Sequence, residues 1–471
     1  MPRDQPDRVC RRHAPRVPVP ARPVRLALIG AGSRMTNVFV PAFASARDWI
    51  EIVAVCNRRA ARRNALAARL GVPGFANPAS LLAAGLCEAA LVVTPPAMHH
   101  PLSVYLSRRG VHHITETPWA LTAWGARQML QTAREHGVVS RTAENFVRFA
   151  RDRFAELVRD SGVIGLIHRI ISYGSIIGFH TSARWRRFAG QAPQWVQAVA
   201  HTAATAPHVP RPGGAPITQE TYQARHLLFP DGLFVTDHCA NRKGFLGRFP
   251  RDGYHEWQGE RGALICTASE PTCRTRFAGG QVAECARPCP TFTPEVMTLR
   301  RCAELNDGTV RHVHDEVSEV IHEMDGCDWL RSHAHTSQGL LEYVNPLRVV
   351  QQIDNPLPEY AVSIVGELVD FALAVRGLAT SEFDDQAACD TVMIEAAARE
   401  SLNRRGARVA LPLEANVPTD STVDAQLRGL LGTDPHDVEA VVASSFRAEG
   451  TGAGIASMDP KARPSHQETC G

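Results

Sequence analysis

No stretch of this 471-residue chain is long and apolar enough to cross a membrane. No charge of one sign dominates: 51 Lys and Arg face 48 Asp and Glu. That balance removes the electrostatic reason to expect nucleic acid or a membrane surface as partner. Lysine is almost missing, and Lys243 and Lys461 stand alone among many arginines. We read this, like the abundance of alanine, as a bias of the source. The 12 cysteines never pair as C-x-x-C. Their densest group, Cys273, Cys285, Cys289 and Cys302, fits no zinc knuckle, so reduced thiols in a cytosolic protein are expected and no metal. The twin arginine Arg11-Arg12 is not followed by the apolar segment of a signal peptide. Residues 1–22, rich in Pro and Arg, read as a disordered extension. No internal repeat is present.

What is there is a hydrophobic share of 44% and enough length for two or three domains. The most informative stretch is Leu26-Ala27-Leu28-Ile29-Gly30-Ala31-Gly32-Ser33-Arg34-Met35. A short apolar run that stops at Gly-Ala-Gly reads as a strand buried on both faces, turning sharply into a helix. Gly30 suits the tight turn. Gly32 leaves the backbone open to a diphosphate held by N–H groups and the helix dipole. Met35 stands where the dinucleotide fingerprint has its third glycine, so the helix is expected to be pushed outward with the phosphate site retained.

Strands and helices then alternate. A helix is expected over residues 37–46, a strand over 51–56 and a helix ending at Gly71. Asn77 and Thr122 read as helix caps. Further strands are expected over residues 89–93, 111–115 and 138–142. The alternation means a parallel sheet with helices on both faces and a ligand at the C-terminal strand ends. At the end of the second strand, where a carboxylate would accept from both ribose hydroxyls, the chain has Asn57 followed by Arg58. Arg58 can pair with a 2′-phosphate, which favours NADP over NAD.

The order Gly30-x-Gly32, Thr94-Pro95-Pro96-x-x-His99, Glu116-Thr117-Pro118, Glu144-Asn145 and Arg148 resembles the Gfo/Idh/MocA oxidoreductases. The likeness resumes at residues 161–165 and 259–263, and extends over roughly residues 24–413. It implies a Rossmann-type doubly wound sheet at residues 23–146 and an α+β domain with a mostly antiparallel open sheet at 147–415. A partly disordered tail, with a helix near residues 434–447, would follow from 416. The resemblance implies hydride transfer between NADP or NAD and a sugar, cyclitol or related small compound. It places Gly30, Gly32, Ser33, Arg34, Met35, Asn57, Arg58, Thr94, Pro95, Pro96, His99, Glu116 and Asn145 around the cofactor. Two departures matter. Thr117 replaces the family's lysine, and Ile176 replaces the aspartate of D-x-G-x-H, leaving Gly178 and His180. His180 is then the expected proton carrier, with Tyr173 and Thr117 as further catalytic candidates. A non-catalytic nucleotide-binding protein and an NAD-dependent glycoside hydrolase remain alternatives.

In the second domain, strands are expected over residues 166–172, 195–201, 224–229, 232–237 and 254–265. His168 is expected in the core. Arg184, Arg186 and Arg187 read as a solvated face around a buried Trp185. Residues 267–358 read as an irregular insertion, and His312, His314, His333 and His335 as polar strand or loop faces. The open sheet would suit a homo-oligomer.

Overall fold

The computed structural model of the protein describes residues 10–13, 17–174, 178–208, 216–240, 254–268, 274–276, 282–284, 295–304, 309–325, 328–350, 353, 360–413 and 417–447. After a short first strand, β1 (Cys10–His13), the chain builds a six-stranded parallel sheet. Its strands are β2 (Val24–Ile29), β3 (Ile50–Cys56), β4 (Gly74–Phe75), β5 (Ala89–Val92), β6 (His112–Thr115) and β7 (Ser140–Thr142). They lie in the order β4-β3-β2-β5-β6-β7. Leu26 to Ile29 and Ala89 to Val92 are fully buried, as strands covered by helices on both faces must be. The covering helices are α1 (Val40–Ala46), α2 (Ala60–Leu70), α3 (Pro78–Ala83), α4 (His99–Ser107) and α5 (Ala123–Glu135). Asn77 accepts from Ser80 N–H at 2.8 Å and Thr122 from Gly125 N–H at 3.0 Å, as the cap signals require. The strand order reverses between β2 and β5, and in open sheets of this kind ligands bind beside such a switch point.

One element departs from expectation. Residues Met35–Phe39 wind as a π-helix before α1 begins. The Val40 N–H reaches the Met35 carbonyl, one residue beyond α spacing. Met35 is fully buried, so its side chain is absorbed by this wider turn. Pro41, which has no N–H to give, sits directly after this irregular turn.

The second sheet has twelve strands and is mixed. Its strands are β8 (Ile167–Gly174), β9 (Trp195–His208), β10 (Ile217–Leu228), β11 (Phe234–Ala240), β12 (Tyr254–Gly259) and β13 (Gly262–Ala268). After the small separate pair β14 (Arg274–Arg276) and β15 (Val282–Glu284) come β16 (Glu295–Glu304), β17 (Val310–Asp325), β18 (Asp328–Thr336), β19 (Gly339–Val344) and β20 (Val409–Ala410). The order is β1-β19-β18-β17-β16-β13-β12-β8-β11-β10-β9-β20, antiparallel except for β1/β19 and β8/β11. One face packs on α6 (Ala150–Ser161), α7 (Gly178–Ala189), α8 (Tyr360–Val375) and α9 (Asp385–Asn403). The other exposes Val199, Tyr222, Val296 and Val317.

Several expectations are corrected here. The supposed insertion supplies β16 to β19, whose long strands continue the sheet. Residues 10–13 of the supposed disordered extension pair in parallel with β19. His168 is exposed although Ile170, two residues on, is buried as expected; the register with β12 shifts between residues 167 and 169, and this irregularity breaks the alternation that tied His168 to the core. Arg184, Arg186 and Arg187 are not solvated; each binds a carboxylate, Asp152, Asp390 and Glu156 in turn. Trp185 is fully buried as expected. The tail forms α10 (Pro418–Leu431), which was not foreseen, and α11 (Val438–Ser445), which packs on α4. Cys273, Cys285, Cys289, Ile176 and the side chains of His312 and His314 lie outside the described residues. Among the described residues, no cluster of His, Cys, Asp or Glu could hold a metal ion, and no helix is long and apolar enough to cross a membrane.

Candidate functional site

The crevice begins at the glycine turn. Gly30 has φ +105°, and a Cβ there would lie 2.1 Å from the Val93 carbonyl oxygen, so only glycine fits. Two residues on, a Cβ on Gly32 would meet nothing within 4 Å. The turn is thus pinned at one glycine and open at the next, with Ser33 exposed beside it. Across the switch point, Thr94 follows β5. Its hydroxyl is buried without a hydrogen-bond partner, and the Asn145 side-chain oxygen is in the same condition. Pro95 is exposed and Pro96 opens a 3-10 turn to Met98. At the end of β3, Asn57 is tied down by its own neighbours: its N–H donates to Phe75 O and its carbonyl accepts from Arg63. The Arg58 guanidinium, half-buried beside it, makes no hydrogen bond or ion pair with a described residue. An open turn, unpartnered buried acceptors and an unpaired arginine at the adenosine end suit a polar, anionic dinucleotide.

Arg34 leaves the glycine turn and crosses to the second domain. It pairs with Glu116 after β6 and donates to the Tyr360 hydroxyl at the start of α8. Its guanidinium also lies over the Phe39 and Tyr360 rings, 5.3 and 5.6 Å from their centroids. Burial would raise the Glu116 carboxyl, but Arg34 and the Thr117 N–H and hydroxyl outweigh it and hold it below its ordinary value. The Thr117 hydroxyl donates to Glu116 at 2.9 Å, which makes it a fixer of that carboxylate rather than a proton carrier.

His180 stands in the first turn of α7. Its Nδ1 is 2.8 Å from both oxygens of Glu144, whose carboxylate is almost wholly buried and also accepts from Phe146 N–H at 3.0 Å. A carboxylate on Nδ1 requires the proton there, leaving Nε2 as the acceptor. The ring packs on Phe146 with centroids 4.0 Å apart, and Phe146 in turn packs edge-on to Tyr360. Arg34, Tyr360, Phe146 and His180 therefore form a contiguous wall at the domain junction. Asn145 joins it, donating to Ser363 on α8 at 2.8 Å.

Two expected site residues are not brought in. Tyr173 is paired in register with His238, and their rings stack at 4.3 Å. Its neighbour Ser172 is fully buried on the helix side and bonds His255, so alternation puts Tyr173 on the opposite, open face, away from His180. His99 is fully buried. Its ring nitrogens meet Pro118 O at 2.8 Å and Thr94 O at 2.9 Å, so no edge is left for a cofactor. It staples the loop after β5 to the loop after β6, and burial pushes its pKa down.

Sequence reading missed Tyr360, the pairing of Glu144 with His180, and Glu367. The last is a fully buried acid on the same face of α8 as Tyr360 and Ser363, with neither oxygen hydrogen-bonded. Burial, then Glu116, pushes its pKa well above the ordinary carboxyl value. Polar residues at positions 360, 363 and 367, spaced along one face of a mostly apolar helix, were the available signal.

Fold and crevice define a dinucleotide-binding domain of Rossmann type joined to a mixed-sheet α+β domain. Over residues 24–144 the chain matches the Gfo/Idh/MocA family, described as an oxidoreductase family with an NAD-binding Rossmann fold. It is 34% identical over 150 residues to D-glucoside 3-dehydrogenase of Escherichia coli (strain K12), covering 31% of this chain and 42% of that protein. The chain thus matches less than half the length of the curated relatives. Among solved structures, an Agrobacterium radiobacter oxidoreductase in complex with NAD+, L-tartaric acid and magnesium aligns with TM-score 0.57 at 15% identity, over 82% of this chain and 98% of that one. Levoglucosan dehydrogenase in complex with NADH and levoglucosan aligns with TM-score 0.56 at 16% identity, over 83% and 100%. At these identities the likeness concerns the fold.

Proposed function

We propose that the protein is an NAD(P)-dependent oxidoreductase acting on a sugar, a cyclitol or a related small hydroxyl or carbonyl compound. The observation that carries this reading is the His180–Glu144 pair, which connects through Phe146 and Tyr360 to Arg34 of the glycine turn. The family match over the first domain supports the cofactor class. When bound, the nicotinamide supplies the hydride acceptor or donor. The chain's own residues do the rest. The turn at Gly30 and Gly32, with Ser33 and Arg34, holds the diphosphate; Thr94 and Asn145 offer unpartnered polar atoms to the cofactor. Met35, Asn57, Pro95, Pro96 and Glu116 shape its bed. Arg58 selects the 2′-phosphate and hence NADP. His180 Nε2 takes the proton from the substrate hydroxyl or returns it to the alkoxide. Glu144 fixes the tautomer and stabilises the imidazolium. With this pair, a group from the segment after β7 supplies the carboxylate that the sequence lacks at position 176. Because Thr117 cannot carry charge, Arg34 is the cation nearest to Glu116. On the open face of the second sheet, the partner we propose is a second copy of this chain.

The test is calorimetry with NADPH and NADH, followed by an absorbance screen of sugars and cyclitols. Gly32→Asp should abolish binding with the fold intact, because the added carboxylate meets open space and repels a diphosphate. Binding without turnover of any compound would favour a non-catalytic nucleotide sensor. A co-purifying cofactor with no net turnover would favour glycoside hydrolysis.

A further inference from the structure

The first turn of α7 is held from beneath by one buried arginine, Arg225, only 1% exposed, in the middle of β10. Its register partner on β11 is Asp237, also fully buried, and the two form an ion pair. From there the guanidinium fork reaches up into α7. Nη2 donates to the Thr181 hydroxyl at 2.8 Å and lies 3.4 Å from Gly178 O. Nη1 donates to the Ser182 hydroxyl at 3.1 Å and to Glu395 on α9. The Thr181 hydroxyl is itself 3.0 Å from Asp237 and 2.9 Å from Gly178 O. A Cβ on Gly178 would lie 2.7 Å from Glu395 and 3.2 Å from Arg225, so the helix start is seated directly on the clamp. Residues 178, 181 and 182 are all gripped, and between them lie Phe179 and His180.

We infer that Arg225 is a positioning residue that fixes His180 against Glu144 by clamping the first turn of α7 to β11 and α9. This rests on the reading of His180 as the proton carrier. Two observations separate the clamp from ordinary packing. The four Nη hydrogens meet four acceptors, Asp237 and Thr181 from Nη2 and Ser182 and Glu395 from Nη1, a planar fork that a point charge such as lysine could satisfy only in part. The contacts also fall on the one turn of α7 that carries the histidine. His180 is thus fixed twice: its ring by Glu144, its backbone by Arg225.

The test compares Arg225→Lys with the parent by two readouts. In protein with 15N-labelled histidine, the His180 resonances are assigned by their loss in His180→Asn, and their pH titration reports the Glu144 contact without any substrate. The expected result is a displaced His180 titration, with kcat lowered about 10²-fold, the typical effect of a small misplacement, and unchanged dinucleotide affinity. Thr181→Val detaches the same turn at one point and should move both readouts in the same direction by less. Should Arg225→Lys fail to fold, Thr181→Val decides alone. A parental titration and parental kcat in a folded variant would overturn the inference. If the parent turns nothing over, the proposed function fails, yet the titration still decides the clamp: displaced supports it, unmoved overturns it.

Discussion

The two sheets bury themselves by different means. The first is apolar on both faces at its centre: β2 and β5 present Leu26, Ala27, Leu28, Ile29 and Ala89 to Val92 to helices on either side. Toward one edge β6 and β7 bury a neutral polar pair, His113 with Ser140 at 2.9 Å, and Gly30, Thr94 and Glu116 stand at the strand ends. The second sheet is covered on one face only, and its helices are fastened by arginine–carboxylate pairs. Arg184 on α7 pairs with Asp152 on α6 at 2.8 Å, and Arg225 on β10 pairs with Asp237 on β11 and with Glu395 on α9. Desolvating those ions offsets much of their attraction, so the pairs contribute modest stability and strict geometry. The difference fits the proposed function, in which the first domain would supply the cofactor's bed and the second would orient His180.

That division breaks first at His180. His180→Asn should lower kcat by about 10²–10⁴ while dinucleotide affinity hardly changes. Steady-state rates alongside calorimetry would show it, and parental turnover would return the chemistry to the first domain. Next in size is the cost of a stranded charge. Asp152→Ala leaves Arg184 buried beside an uncompensated site and should cost about 3–5 kcal/mol in denaturant unfolding. The half-exposed pair Arg109–Glu439, which joins the tail to α4, is the contrast. Glu439→Ala should cost less than about 1 kcal/mol. Equal costs would mean that burial does not distinguish the two kinds of pair.

A smaller effect sharpens the role of the first domain. Arg58→Ala should weaken NADP by about 1.5–3 kcal/mol, roughly ten- to a hundredfold, and leave NAD unaffected. Equal losses for both cofactors would remove the 2′-phosphate contact. The last test lies where the domains meet. Glu367 is held as the neutral acid by burial and by Glu116, so the native state keeps a proton that the unfolded chain gives up above about pH 4.5. Its contribution is therefore full at low pH and is lost as pH rises. Glu367→Gln removes that penalty. Its melting temperature should exceed the parent's at pH 8 and match it at pH 4; a parental value at pH 8 would show that Glu367 ionises freely.

The first domain was legible because its signals are local. The glycine turn, the caps at Asn77 and Thr122 and the αβ alternation each act within a few residues, and the structure places them where the pattern put them. The misreadings fall where burial depends on a distant partner. His168 was misplaced because the register of β8 with β12 shifts between residues 167 and 169 and breaks the alternation that links it to the buried Ile170. Tyr173, next to the buried Ser172, falls to the open side. Residues 295–344 looked irregular because strands whose polar groups pair across neighbours show no clean apolar period.

By itself, then, the sequence determined the parallel sheet, the crevice at its switch point and the candidates Gly30, Gly32, Arg58 and His180. These follow from backbone freedom, short-range periodicity and residue chemistry. Only the tertiary structure decided who stands beside them. Glu144 meets His180 from 36 residues away, Arg34 meets Glu116 from 82 and Tyr360 from 326. Such pairings are set by how α8 docks on the first domain and how α7 meets the segment after β7, and a linear pattern of residue types does not encode that docking in any local signal.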